Sequence, residues 1–192
     1  MAGDPLVALA VNLWLVRHGA TAWSDAGRLN GWTDVPLNDA GRRQAVALRQ
    51  RLAGHSFAGI WSSDLVRATQ TASLAAREHV ADRRLRELDF GSLEGKTWDD
   101  CPREVRDGLA AFDGFSAPSG ESVAQLRARV LDFVETLEEG DHVLFTHGGV
   151  VRLLLLEQGQ RPLVPPGRLV RVVRRGRDGR AGGSRPTRTS AR

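Results

Sequence analysis

The sequence predicts an α/β fold, a three-layer α/β/α sandwich around a mostly parallel central sheet. Three observations predict it. Leu13–Val16 and Val143–Phe145 are short, unbroken apolar runs, as expected of strands buried on both faces. Segments of helical periodicity separate the extended ones. The apolar runs also end abruptly in polar clusters, Arg17-His18-Gly19, Ser62-Ser63-Asp64 and Thr146-His147-Gly148. In an open parallel sheet the carboxyl ends of the strands share the edge where ligands bind.

Each element follows from its local chemistry. A polar loop runs from the first strand to about Leu37, and Asn38 is a good N-cap for a helix to about Ala53, stopped by Gly54. Phe57–Trp61 reads as a second strand. Ser62-Ser63-Asp64 then caps a helix to about Arg77, with Leu65, Ala68, Ala72 and Ala75 on one face. Leu85–Phe90 is a weaker extended segment, followed by a short helix near Trp98–Arg106 and a Gly/Pro/Ser loop through Gly120. The clearest helix spans about Glu121 to Glu138. Its residues Val123, Leu126, Val130, Phe133, Val134 and Leu137 keep the 3.6 period, with Arg127, Asp132 and Glu135 between them. Gly140 ends it. The Val143–Phe145 strand leads into an apolar helix, Val150–Leu156, and Leu169–Val173 is a candidate last strand.

Composition bounds the organisation. With 192 residues, 41% of them hydrophobic, the chain suffices for one domain with a proper core and is short for two. We place that domain at residues 1–173. Residues 174–192, rich in Arg, Gly, Ser, Thr and Pro, offer no buried face and are expected to be a disordered tail. Nine Arg stand against Asp178 alone between Arg168 and Arg192, so the high isoelectric point belongs to the tail and the remainder carries net charge −4. Inert disorder is the preferred reading of this tail, over a contact for nucleic acid or another polyanion and over a frame-shifted end, so no nucleic-acid partner is expected of the domain. Cys101 is the single cysteine, which excludes an intramolecular disulfide and a Cys-rich zinc site. No apolar run approaches the roughly 20 residues that span a bilayer. Leu6–Val16 is interrupted by Asn12, and Met1–Asp4 lacks the positive charge of a signal peptide. A cytoplasmic protein without a membrane partner is expected.

The chemistry concentrates at the strand ends. If the topology brings them together, Arg17, His18, Arg67 and His147 meet at one place. Metal-ligand spacings are missing from this set, and arginine is a poor neighbour for a cation. Paired guanidinium forks instead match a tetrahedral oxyanion through bidentate, charge-assisted hydrogen bonds. A neutral imidazole is a competent nucleophile near neutral pH. Two Arg and two His therefore suggest phosphoryl transfer through a phosphohistidine, with no metal and no cofactor. His55, His79 and His142 fall outside these clusters and read as ordinary structural residues.

Leu15-Val16-Arg17-His18-Gly19-Ala20-Thr21 resembles the signature of the histidine phosphatase superfamily, which includes the cofactor-dependent phosphoglycerate mutases. Further blocks follow in the family's order: Asp34-Val35-Pro36-Leu37-Asn38 with Gly41 and Gln44-Ala45; Ser62-Ser63-Asp64-Leu65 with Arg67-Ala68; Leu85-Arg86-Glu87 through Gly95; Gly120-Glu121-Ser122; and Thr146-His147-Gly148-Gly149. The likeness covers about Leu13 to Leu156, and any one block alone would be weak. It implies a phosphoglycerate mutase-like fold and a small phosphorylated substrate. Matched by position, His18 becomes phosphorylated, while Arg17, Arg67 and His147 hold the phosphate. Glu87 serves as general acid and then as base. Thr21, Ser24 and Gly148 are further candidate substrate contacts, although many relatives carry Asn where this chain has Ser24. In the family the acid stands four positions before the first glycine of its block, which selects Glu87 before Gly91. Asp89 shares a face with Glu87 in an extended chain and is the alternative.

The superfamily holds hydrolases and mutases. Mutase relatives carry a long insertion between the acidic and Gly-Glu-Ser blocks, where this chain has only Lys96–Gly120. A more open site favours water as acceptor, so a metal-independent phosphatase is expected, active in EDTA, with a mildly acidic to neutral optimum. A mutase, or a non-catalytic binder of phosphorylated ligands or polyanions, is the alternative. The loops Gly19–Leu37 and Gly95–Gly120 are rich in Trp, Asp and Gly and low in Lys, which suits small or hydrophobic phosphomonoesters. Trp23 and Trp32, in the first of these loops, either wall the pocket or pin the loop.

Overall fold

The computed structural model describes residues 10–76, 78–161 and 163–175. In chain order the elements are β1 Ala10–Arg17, α1 Ala22–Asp25, α2 Asp39–Leu52, β2 Gly59–Ser62, α3 Val66–Ala75, β3 Val80–Ala81, α4 Arg103–Ala111, α5 Val123–Glu135, β4 Gly140–Thr146, α6 Gly148–Leu156 and β5 Leu169–Arg175. The five strands form one sheet in the order β3-β2-β4-β1-β5. All neighbouring pairs are parallel except β1–β5, which is antiparallel.

The alternation of β-strand side chains builds the layers. Leu13 and Leu15 of β1, with Leu144 of β4, pack with α5 and α6 through residues such as Leu126, Phe133 and Leu154. Trp14 and Val16, with Val143 and Phe145, face the other way onto Leu48 and Leu52 of α2 and Ala72 and Ala75 of α3. Because both faces are covered, the middle of the central strands, Leu13–Val16 and Val143–Phe145, is apolar at every position, and the sandwich expected from the sequence is the fold observed.

Several boundaries differ from the expectation, each for a physical reason. The Ser62-Ser63-Asp64 cluster does not cap α3. The N-cap position is Leu65, without a side-chain cap of its own. The Val66 N–H is instead accepted by Asp34 from a distant loop at 2.7 Å, while Asp64 pairs with Arg86. The helix expected near Trp98–Arg106 begins only at Arg103, because Pro102 lacks the N–H that a helix interior needs. It then runs to Ala111. α5 starts at Val123, where Ser122 and Gln125 form a reciprocal capping box, and ends at Glu135. Leu85–Phe90 is not a strand but an irregular stretch between two 3-10 turns, Arg83–Leu85 and Gly91–Leu93. The two-residue edge strand β3 was not expected. β5 continues through Arg174 and Arg175, so the domain reaches at least Arg175. The remainder of the proposed tail lies outside the described residues.

Candidate active site

Strand register assembles the site. Arg17 is paired with Thr146 at the carboxyl ends of the adjacent parallel strands β1 and β4, so the next residues, His18 and His147, emerge side by side. The His18 N–H donates to the Thr146 carbonyl at 2.8 Å, and the two imidazole centroids lie 5.2 Å apart in an edge-on arrangement. Arg67 arrives from the first turn of α3, and Glu87 from the irregular stretch after the first 3-10 turn. Arg17, His18, Glu87 and Gly148 line a pocket of about 310 Å³. Arg67 and His147 lie fully buried beside it.

The motif blocks hold the loop after His18. Gly41 brings the first turn of α2 against the backbone of Ala20, so closely that a β-carbon there would collide with the Ala20 carbonyl. Gln44 accepts the Ala20 N–H at 2.8 Å, and Thr71 accepts that of Gly19 at 3.1 Å. The loop is thus tied to α2 and α3.

His18 Nδ1 lies 2.7 Å from the Gly19 carbonyl. A carbonyl can only accept, so Nδ1 carries the proton and Nε2 keeps its lone pair. Burial holds the His18 ring well below the usual value of 6.5, and the cations Arg67 and Arg17 hold it lower still. His147 is lowered in the same way by burial, then by Arg67, His18, Arg129 and Arg17.

Around these rings stand polar groups without protein partners. Arg17 Nε, Arg67 Nε, both ring nitrogens of His147 and both amide atoms of Asn30 are buried and unbonded. Three of the other guanidinium nitrogens are anchored. Arg17 Nη1 donates to the Val164 carbonyl at 2.8 Å, and Arg67 donates to the carbonyls of Thr33, Asn30 and Gly31. Burial brings Arg67 down to about 10, against the pull of Glu87, Asp34 and Glu94. It therefore stays charged at neutral pH. Two buried guanidinium ions without a paired carboxylate, beside the N-terminus of α6, make a cradle for a tetrahedral anion.

Glu87 sits across this cradle. Both its carboxylate oxygens lie 3.0 Å from the Gly149 N–H, and Oε1 also accepts from Leu88 N–H at 2.9 Å. Asp89 is turned away: its Oδ1 accepts the Gly91 N–H and it does not line the pocket. A side chain at position 149 would collide with the Glu87 carboxylate. Gly149→Ala is therefore expected to fold but to lose about 10²-fold in kcat, the low end of what a positioned acid/base supplies. Steady-state kinetics beside a thermal melt checks this.

Of the other sequence candidates, Ser24 lines the pocket, but its hydroxyl is engaged with Thr21 in a reciprocal cap of α1. Thr21 is buried and serves that cap rather than lining the pocket. Trp32 pins its loop: its Nε1 donates to the Glu87 carbonyl at 2.9 Å, and Arg86 stacks on its ring. Trp23 packs against Gly95. His142 is structural, bridging Trp61 and the Glu138 carbonyl.

Several pocket residues escaped the sequence reading, among them Asn30, Trp98 and Phe112. Asn30 is a polar residue in a polar loop and carries no local signal. Trp98 and Phe112 lie where the loop composition announced aromatic walls without saying which residues build them. Phe112, in the left-handed region at φ 54°, is held by Arg152, which stacks on its ring and donates to the Leu109 and Ala110 carbonyls.

The two buried histidines set an acid limit on stability. The unfolded chain takes up protons on them near pH 6.5, whereas the folded chain resists. Below that pH the unfolded state binds more protons, so stability falls as pH falls, by up to about 1.4 kcal/mol per pH unit for each histidine, until their lowered folded values are reached. Thermal melts in phosphate-free buffer at pH 7 and 5 are expected to show this drop, and His147→Gln to reduce it.

Fold and site together define a class, an α/β domain with two histidines and two arginines gathered at the carboxyl ends of its parallel strands. The family model of the histidine phosphatase superfamily (branch 1) matches residues 13–169. A metal-independent phosphoserine phosphatase of Arabidopsis thaliana is 36% identical over 159 residues, which cover 74% of this chain and 66% of that protein. The chain thus spans just under two thirds of that relative's length. A probable phosphoglycerate mutase of Yersinia pestis is 36% identical over 157 residues, 76% of this chain and 73% of that one. Among solved structures, a phosphoglycerate mutase from Thermus thermophilus superposes with a TM-score of 0.79 at 46% identity, over 84% of this chain and 92% of the other. A putative α-ribazole-5′-P phosphatase from Escherichia coli gives 0.72 at 26% identity, over 85% and 90%. The chain belongs to the histidine phosphatase superfamily, branch 1. Among the described residues, no helix is long and apolar enough to cross a membrane.

Proposed function

We propose that this enzyme is a phosphatase that hydrolyses small phosphomonoesters through a phosphohistidine on His18. The observation that carries the reading is His18, its Nδ1 against the Gly19 carbonyl, lining one pocket with Glu87 and the half-buried Arg17 beside the fully buried Arg67. In the first step His18 Nε2 attacks phosphorus, the ester P–O bond breaks, and Glu87 gives its proton to the leaving oxygen. In the second, the Glu87 carboxylate takes a proton from water as that water attacks phosphorus and the P–N bond breaks. Ester and water become alcohol and inorganic phosphate, and both groups return to their starting state. Arg17, Arg67, His147 and the Asn30 amide stabilise the equatorial oxygens, and the charge a metal would otherwise supply is present on the two guanidinium ions. Similarity to a metal-independent phosphatase supports the same chemistry.

The short Lys96–Gly120 segment, in place of a long insertion, supports hydrolysis over mutase transfer, and the outer pocket supports a small, largely apolar leaving group. Its walls are Leu29, Phe90, Trp98, Leu109, Phe112 and Val164. The two cations there, Arg28 and Arg152, spend guanidinium N–H groups on the carbonyls of Gly95, Leu109 and Ala110. Walls of this kind suit a flat apolar leaving group.

The test is hydrolysis of aryl, sugar, glycerate, phosphoserine and nucleotide phosphates in EDTA, by wild type and Glu87→Gln. Aryl phosphates are expected to have the highest kcat/KM, with EDTA without effect. A strong preference for a polyanionic substrate, or loss in EDTA restored by a divalent cation, would sink the reading.

A further inference from the structure

The Gly120-Glu121-Ser122 block plays no part in the chemistry above, yet it lies against the stretch that carries Glu87. That stretch has no strand partner to satisfy its carbonyls. One side chain of α5 does so instead. Arg129 Nη1 donates to the Arg84 and Arg86 carbonyls at 2.8 and 2.7 Å, and Nη2 donates to the Glu87 carbonyl at 2.7 Å. Its remaining N–H groups meet Glu121, Nε to Oε1 at 2.7 Å and Nη2 to Oε2 at 2.8 Å. All five guanidinium N–H donors are thereby used. The ion pair is largely withdrawn from solvent, with side chains 17% and 12% exposed. The Glu121 N–H also donates to the Asp89 carbonyl at 2.9 Å, so the block grips the stretch from both sides of Glu87.

We infer that Arg129, buttressed by Glu121, is a positioning residue that fixes the Glu87 backbone so that its carboxyl group meets the leaving oxygen. The inference rests on the proposed acid/base role of Glu87. It follows from geometry: three carbonyls of a stretch without a strand partner converge on one planar fork, and one of them, which also accepts from Trp32, belongs to the residue that must be placed. A lysine, with three donors on a point charge, cannot reproduce this.

The leaving group makes the role measurable. p-Nitrophenolate departs with little protonation, whereas phenolate and alkoxide need a proton in the transition state. Misplacing the acid therefore spares the first substrate and penalises the others. The experiment measures kcat/KM, which reports phosphoryl transfer to the enzyme, for p-nitrophenyl, phenyl and benzyl phosphates. Wild type, Glu87→Gln, Arg129→Lys and Glu121→Gln are compared, each with a thermal melt. Arg129→Lys is expected to lose about 10²-fold on phenyl and benzyl phosphates and about 3-fold or less on p-nitrophenyl phosphate, with Glu121→Gln milder in the same pattern. Should Arg129→Lys fold poorly, Glu121→Gln, which keeps one acceptor for the guanidinium, carries the comparison. Equal losses on all three substrates, or none, while Glu87→Gln shows the selective pattern, would overturn the positioning role alone. No selectivity in Glu87→Gln itself would overturn the acid role and this inference with it.

Discussion

His18→Ala is expected to lower the kcat/KM for p-nitrophenyl phosphate by at least about 10⁴-fold, with the fold retained. In the proposed mechanism no other group replaces the bond His18 would form. His147 stands 5.2 Å away, centroid to centroid, but it is fully buried beside the pocket rather than lining it. The anion cradle would survive the substitution, so phosphate binding should persist while turnover collapses. Removing a nucleophile leaves only what binding and electrostatics supply. Equilibrium binding of vanadate or inorganic phosphate, measured beside steady-state kinetics, checks the separation. Activity within tenfold of wild type would mean that water attacks the ester directly and that His18 is merely a donor.

Arg67→Met is expected to cost about 10³-fold or more in kcat/KM, and Arg67→Lys to recover little of it. An arginine aimed at a transferring phosphoryl group is worth about 10³–10⁵ in other systems. Arg67 is fully buried and retains its charge, and its Nε has no protein partner, so its full field falls on the cradle. It also ties down the loop by donating to the Thr33, Asn30 and Gly31 carbonyls. A lysine keeps the charge but not the fork, so the loop carrying Asn30 loses its anchor. The thermal stabilisation that inorganic phosphate gives the wild type should vanish in Arg67→Met. If phosphate stabilises that variant as well as wild type, the anion binds elsewhere.

The residues the structure gathers at the strand ends were legible because local pattern marks them. A buried strand that stops at Arg17-His18-Gly19 or Thr146-His147-Gly148 announces a strand end, and strand ends in a parallel sheet converge. The register of β1 and β4 then did what the pattern alone could only suggest. The residues that support the site were less legible because their partners are distant in sequence. Arg129 sits on the polar face of an amphipathic helix, where a charged residue ordinarily means solvent, and three of its five hydrogen bonds exist only after the 84–89 stretch folds onto it. The α3 cap failed as a local prediction for the same reason. Asp64 was drawn to Arg86, and Asp34 took its place from 32 residues away. Alternation could not separate Glu87 from Asp89, because residues two apart share a face of an extended chain, and the structure separates them because that stretch is not a strand. The turn at Gly91 occupies Asp89, and the Gly149 N–H occupies Glu87.

Everything above turns on a covalent bond between phosphorus and His18 Nε2, and rapid-quench trapping addresses it directly. The enzyme is mixed with excess p-nitrophenyl phosphate in EDTA, quenched in alkali within the first turnovers, digested and mapped by mass spectrometry. The expected product is one acid-labile, alkali-stable phosphoryl group on the peptide containing His18, formed at least as fast as turnover and missing in His18→Ala. Phosphate on another residue, or full turnover with no phosphoenzyme at any quench time, would refute the phosphohistidine mechanism.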